Sequence, residues 1–206
     1  TVREAIMRVE AWYDNNVLNV IEMVSMQMLT ESETDPVLKE VISSLDLAVI
    51  GEKGILQAAG VDTMQRIRET EENDFSDEFL KRVERNRKSV FVIGETQEAV
   101  DELIQELSEE YPKLVLAGAA ATENCVGDLE GVINELNAAT PAVIISIIPS
   151  PKQEHFLVEH RDKINANLWY GIGGFEVHRK RSKIKGFFFN LIQRIRLKNS
   201  IEKYES

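Results

Sequence analysis

The sequence is poor in cysteine and histidine and lacks long apolar runs. Its single cysteine, Cys125, excludes an internal disulfide framework and a cysteine-based zinc site, and is typical of a reducing compartment. His155 and His160 are five residues apart and do not form an i, i+4 metal pair, so we predict no metal site. No apolar run reaches the roughly 18 residues of a membrane-spanning helix. The first residues are charged and amphipathic, so we do not expect them to be a signal peptide. We therefore expect a cytoplasmic location.

The composition is that of a globular protein with unevenly distributed charge. The chain has 206 residues, 43 % hydrophobic and 29 % charged, which excludes the disordered and fibrous classes. Its net charge of −11 argues against a general nucleic-acid binder. Residues 178–206, however, carry nine Lys or Arg and two acids, a net charge of +7. We therefore predict a domain over residues 1–177 and a basic appendage over residues 178–206.

Apolar runs alternate with helical patterns along the predicted domain. The predicted strands are 17–24, 46–50, 89–94, 113–118, 142–149 and 167–174. Amphipathic segments separate them, including 97–110, and the acidic stretch 70–78 is expected to be a linker. This alternation predicts an α/β fold, a mostly parallel Rossmann-like sheet with helices on both faces. Ligands of such sheets bind beyond the carboxyl ends of the strands.

The segment Ser150–Glu154, with the sequence SPKQE, follows the most apolar predicted strand. One interpretation is purely structural: Ser150 as N-cap, Pro151 as first helical residue and Gln153 as third form a capping box. The other interpretation is an anion site, since a helix N-terminus favours negative charge and Lys152 adds a cation. Gln153 and Glu154 would then bind a sugar or a base, and Ser150 and Lys152 would complete the nucleotide-sugar site.

Other strand ends offer further candidates. Glycines that would let a ligand approach the backbone are Gly94, Gly118, Gly171, Gly173 and Gly174, although tight turns are the commoner reason for such residues. Glu52 and Lys53 lie between two glycines after the strand 46–50. Glu52 is a candidate general base, and an exposed Glu–Lys pair in a turn is the alternative.

The sequence of the basic appendage predicts an amphipathic helix. Phe187–Phe189 and later Leu and Ile residues alternate with cations, a composition suited to an anionic membrane surface. The candidate contact residues are Arg179, Arg181, Arg194, Arg196, Lys198 and Lys203. The alternatives are packing onto the domain or onto a partner subunit, and, less favoured by the acidic body, RNA binding.

The order of these segments resembles the WecB/TagA/CpsF-type glycosyltransferases. The resemblance rests on SPKQEHF (150–156), YPKL (111–114), GIGGF (171–175), the strand-turn segments at 46–51 and 90–94, and the basic C-terminus with Lys203 and Tyr204. It covers roughly residues 17–206. It implies an enzyme of bacterial cell-surface polysaccharide synthesis, peripheral on the inner face of the membrane. It also implies a metal-independent, inverting transfer from a UDP-sugar to a polyprenyl-diphosphate-linked sugar, with no cofactor beyond the donor.

The resemblance also assigns roles to residues. Family members carry Asp as the presumed base in the turn after the second strand; Gly51 takes that position here, and the adjacent Glu52 is the candidate base. Arg194, Arg196 and Lys203 would meet the lipid diphosphate. The alternative is a relative without catalysis that serves as a binding or scaffold subunit of another polysaccharide enzyme. A homo-oligomer is a further possibility in either case.

Overall fold

A computed structural model describes residues 1–125 and 129–173. Within them, six strands form one sheet: β1 (Asn19–Val24), β2 (Leu47–Ile50), β3 (Ser89–Gly94), β4 (Val115–Ala121), β5 (Val143–Ser146) and β6 (Leu168–Gly171). The strand order is β2-β1-β6-β5-β3-β4, and every neighbouring pair is parallel. The predicted α/β class is therefore confirmed.

Helices connect the strands of this sheet. They are α1 (Val2–Ala11), α2 (Met26–Glu31), α3 (Pro36–Ser44), α4 (Lys53–Ala58), α5 (Met64–Glu71), α6 (Asp74–Arg85), α7 (Gln97–Glu110), α8 (Glu130–Ala139) and α9 (Lys152–His160). Single 3₁₀ turns follow α1, β4 and α9.

Capping residues in the sequence explain where several helices begin. Asp35 accepts hydrogen bonds from the backbone nitrogens of Val37 (2.9 Å) and Leu38 (3.1 Å), and Pro36 is the first residue of α3. Thr96 accepts from the nitrogen of Ala99 at 3.2 Å and starts α7. These side chains satisfy amide groups that have no partner inside the helix, which fixes the turn at the helix start.

Helices cover both faces of the sheet, and each face has its own apolar core. Side chains of α1, α6 and α7 pack on one face, with Phe79 and Leu103 among the buried residues. Side chains of α8 and α9 pack on the other, with Leu136 and Phe156 buried beside Trp169 of β6. α3 packs beside α9. The central strands β1, β3, β5 and β6 are covered on both sides, as expected for a parallel sheet, whereas the edge strands β2 and β4 stay partly exposed.

Three local predictions were wrong. The segment 70–78 is not a linker: α5 runs to Glu71 and α6 begins at Asp74, because Phe75 turns the acidic stretch toward the core. The strand predicted to end at residue 118 continues to Ala121, because its small residues stay paired in register with β3 up to Gly94. The six-residue helix α2 was not predicted, because one and a half turns are too short to show a period.

Predictions for the C-terminal part lie outside the described residues. This applies to the amphipathic helix of residues 178–206 and to the boundary between the two predicted domains. Among the helices of the described ranges, none has the length and apolar character needed to cross a membrane.

Candidate functional site

The strand order reverses between β3 and β5. From β3 the chain moves outward to the edge strand β4, and from β5 it moves in the opposite direction to β6. In doubly wound sheets such a reversal opens a crevice beyond the carboxyl ends of the strands. The segment Ser150–Glu154 follows β5 at this edge, and α9 begins there at Lys152. The fold therefore positions the SPKQE motif where a ligand is expected.

The motif does not form the capping box that its sequence suggested. The helix begins at Lys152 with Pro151 in the capping position, and no side chain caps it. The hydroxyl of Ser150 is buried beside the Glu154 carboxyl and caps no backbone amide of the helix. The structural interpretation of the motif is therefore wrong, because the helix starts one residue later than a capping box requires.

Gln153 and Glu154 lie inside the protein at this helix start. Their exposed fractions are 2 % and 0 %, values that are unusual for such polar side chains. The Gln153 Nε2 atom donates a hydrogen bond to Oε1 of Glu22, which is 1 % exposed in the middle of β1. This hydrogen bond is a polar contact between α9 and β1, beside the apolar packing of α9 on the sheet.

Gly171 leaves room for this contact. It pairs in register with Glu22 on one side and with Ser146 on the other. A Cβ atom on Gly171 would lie 2.5 Å from Nε2 and 2.7 Å from Oε1 of Gln153, so the amide rests directly on the glycine backbone. The absence of a side chain at Gly171 is therefore a requirement for the position of Gln153.

Burial of two carboxyl groups perturbs their protonation. Burial raises the pKa of Glu22 well above its ordinary value, and the negative charge of nearby Glu154 raises it further. The pKa of Glu154 is also raised, mainly by its burial. Buried carboxyl groups with perturbed pKa values cluster at functional sites, which makes this pair a functional candidate.

The cation Lys152 lies at the start of α9, beside the strand-order reversal. Lys152 is about two-thirds exposed and forms an ion pair with Glu95, which directly follows β3. The carbonyl oxygen of Glu95 accepts a hydrogen bond from the nitrogen of Glu123 at 2.9 Å, in the turn after β4. These contacts connect the segments that follow β3, β4 and β5 around Lys152. An anion that displaced Glu95 could pair with the Lys152 ammonium.

Glu52 lies at the same edge of the sheet but follows β2. It occupies the capping position of α4, and its Oε1 accepts a hydrogen bond from the nitrogen of Met26 at 3.3 Å. The neighbouring Lys53 forms an ion pair with Glu71 at 2.6 Å rather than with Glu52. Glu52 and Lys53 thus do not pair with each other, and the half-exposed Glu52 carboxylate lies where β1 and β2 end.

The candidate glycines fall into different environments. A Cβ on Gly94 would lie 2.7 Å from Val100 of α7, and one on Gly118 would lie 2.8 Å from the Phe91 ring. Gly118 lies within β4, three residues before the strand ends. A Cβ on Gly173 would collide with the carbonyl oxygen of Ile148. Close packing thus accounts for these three glycines.

The remaining candidate residues lie outside the described ranges. They are Gly174, Arg179, Arg181, Arg194, Arg196, Lys198 and Lys203.

Sequence reasoning missed Glu22 and Glu95. Glu22 is the one charged residue in the predicted strand 17–24, and a lone carboxyl in an apolar strand was a usable signal. Glu95 gave no such signal, because an acid after a strand usually lies on the surface. Both residues contact the SPKQE motif.

A doubly wound parallel sheet with buried polar groups beside its strand-order reversal is the architecture of an α/β ligand-binding domain. The chain belongs to the Glycosyl transferase WecG/TagA/CpsF family, which matches residues 1–178. The resemblance thus begins before residue 17, and most of the basic appendage lies outside the match.

Similar curated proteins include an N-acetylglucosaminyldiphosphoundecaprenol N-acetyl-β-D-mannosaminyltransferase of Bacillus spizizenii. It is 24 % identical over 182 residues, which cover 86 % of this chain and 69 % of the relative. A protein of the same name from Staphylococcus aureus is 22 % identical over 179 residues, which cover 84 % of this chain and 68 % of the relative.

Proposed function

We propose that the protein is a glycosyltransferase of bacterial cell-surface polysaccharide synthesis. Its donor is a UDP-sugar of the N-acetylhexosamine type, and its acceptor is a polyprenyl-diphosphate-linked N-acetylglucosamine. The observation that carries the proposal is the SPKQE motif beside the strand-order reversal, in a chain of this family. The acceptor named for the relatives supports the choice of lipid-linked substrate.

The donor binds at the start of α9. The positive end of the α9 dipole and the Lys152 ammonium attract the diphosphate, after Lys152 has exchanged Glu95 for the ligand. Gln153 and Glu154 are assigned to the sugar or the base, and Gly171 leaves the room in which the Gln153 amide lies. The arrangement supports a nucleotide site because the Lys152 ammonium is exposed to a ligand. The Gln153 amide, by contrast, is buried and held in place by Glu22.

Glu52 acts as general base on the acceptor. It removes the proton of the attacking hydroxyl as that oxygen bonds to the anomeric carbon of the donor. The bond from this carbon to the diphosphate oxygen breaks on the opposite face, and UDP leaves with the electron pair. Attack opposite the leaving group inverts the configuration. Positive side chains near the diphosphate stabilise the charge that develops on it.

Unfolding in the presence of nucleotides tests the donor site. UDP at 100 times its dissociation constant should add about 2.7 kcal/mol, which raises the Tm by roughly 5 °C or more. GDP should give a much smaller shift. Lys152→Ala should reduce the UDP shift, whereas Lys163→Ala, a similarly exposed lysine beyond the other end of α9, should not. Equal shifts with UDP and GDP, or none, would count against the proposal.

We further propose that the protein works at the membrane, where its acceptor lies. The supporting observation is the net charge of +7 in residues 178–206. Each cation near an anionic surface contributes about 1 kcal/mol, so neutralising Arg194, Arg196 and Lys198 should greatly reduce sedimentation with anionic vesicles. Neutralising Lys39, Lys81 and Lys113 of the body is the control. Equal sedimentation of both variants would contradict membrane contact through the appendage.

One observation favours the alternative of a binding or scaffold subunit. Gly51 takes the position at which family members carry their presumed base, and the Glu52 carboxylate is engaged by the nitrogen of Met26. A protein of this kind would bind UDP without transferring sugar. Transfer assays decide between the two functions.

A further inference from the structure

Glu22 lies directly beneath the proposed donor site, yet it has no place in the mechanism described above. It projects from β1 on the face covered by α9, where it meets both Gln153 and Glu154. Its Oε1 accepts the hydrogen bond of the Gln153 amide. Its Oε2 is buried and receives no hydrogen bond from a described residue.

The oxygens around Glu22 are mainly acceptors. Oε1 of Gln153 is buried and forms no hydrogen bond within the described ranges, and the buried carboxyl of Glu154 has the Ser150 hydroxyl and the Gln153 amide close by as donors. Two ionised carboxylates in contact, both removed from water, would repel each other strongly. One proton on the pair turns this repulsion into a hydrogen bond between the two acids.

No described cation compensates the pair. Lys152 is paired with Glu95, and the side chain of His155, which follows Glu154, is paired with Asp35 at 3.0 Å. From the strands beside β1, the residues in register with Glu22 are Gly171 and Ala48, neither of which is charged. Within the described residues, Glu22 and Glu154 therefore face each other, the Gln153 amide and the neutral hydroxyl of Ser150, which lies beside Glu154.

We propose that Glu22 is held as the neutral acid and is a positioning residue of the donor site. It donates its proton to Glu154 and accepts the amide of Gln153, so that one side chain orients two residues of the SPKQE motif. This inference rests on the proposed function of that motif. A neutral Glu22 also removes a negative charge from beneath a site that receives a diphosphate.

The pKa shift gives the direction of the pH dependence. A carboxyl that keeps its proton in the folded state makes its full contribution to stability below its unfolded pKa. That contribution is lost as the pH rises toward the raised folded pKa. Alkaline pH should therefore ionise the pair, loosen Gln153 and weaken the binding of an anionic nucleotide.

Two substitutions at one position test the proposal. Glu22→Gln places an amide where the neutral acid stands, with an oxygen for Gln153 and an N–H for Glu154. Its Tm relative to the wild type should rise steadily from pH 5 to pH 9. Glu84→Gln, which alters a half-buried carboxyl that accepts from the nitrogen of Lys113 at 2.8 Å, should show no such trend.

UDP binding supplies the second readout. Glu22→Ala should weaken UDP binding at least tenfold at pH 7, and Glu22→Gln should restore it. The wild-type affinity should fall as the pH rises, whereas that of Glu22→Gln should fall less. Failure of Glu22→Gln to fold, a stability difference that does not change with pH, or a loss of UDP binding equal to that of Glu22→Ala would overturn the proposal.

The two readouts separate this inference from the proposed function. The stability comparison uses the protein without nucleotide, so it tests the shared proton even if UDP does not bind. If the wild type shows the pH trend and binds no UDP, the proposed donor is wrong and the neutral acid remains. If UDP binds and the trend is absent, the donor site stands and the role of Glu22 is wrong.

Discussion

Glu52→Gln is expected to lower the rate of sugar transfer by about 10²–10⁴-fold, the contribution typical of a general base. The amide keeps the shape of the side chain and an oxygen that can accept from the nitrogen of Met26, so the turn after β2 should persist. It cannot take the proton of the acceptor hydroxyl. Initial rates at saturating donor and acceptor measure the effect.

Two further measurements make the Glu52 result specific. UDP should raise the Tm of Glu52→Gln and of the wild type equally, since the donor binds at α9. Glu40→Gln, an exposed carboxyl on α3, should transfer at the wild-type rate. Transfer by Glu52→Gln at an undiminished rate would mean that another group is the base.

Phe79→Ala is expected to reduce the free energy of unfolding by about 3–5 kcal/mol. The ring is 1 % exposed, lies 5.0 Å from the Tyr170 ring and 5.9 Å from the Phe75 ring (centroid distances), and fixes α6 to the sheet. For a chain of this size the loss corresponds to a fall in Tm of roughly 6–20 °C.

Thermal or denaturant unfolding measures the effect of Phe79→Ala. Met64→Ala on α5 removes a similar apolar volume from a side chain that is 84 % exposed, and should change stability by less than about 0.5 kcal/mol. Similar results for the two variants would contradict the placement of α6 in the core.

The fold was largely predictable because its main elements carry strong local signals. The strand 89–94 and the helix 97–110 were predicted with their observed bounds, since an unbroken apolar run and a threonine cap define them. The linker predicted over 70–78 was wrong because its acidic residues suggested a segment exposed to solvent. Phe75 and Phe79 are four residues apart, and the tertiary packing of that pair decides the structure there.

The site was predictable in location but not in chemistry. The SPKQE motif was expected at a strand end, and the sheet topology puts it at the strand-order reversal. That Gln153 and Glu154 are buried could not be derived, because their partner Glu22 lies 131 residues from Gln153 in the sequence. The local pattern favoured a capping box, which the observed start of α9 excludes.

The most direct test of the proposed function is the release of UDP by the wild type. The protein is mixed with a UDP-N-acetylhexosamine, with or without polyprenyl-diphosphate-linked N-acetylglucosamine in anionic vesicles. We predict that UDP release requires the acceptor and yields a lipid-linked disaccharide. A protein that binds UDP but forms no product with any UDP-N-acetylhexosamine would contradict the enzymatic function and favour a binding or scaffold subunit.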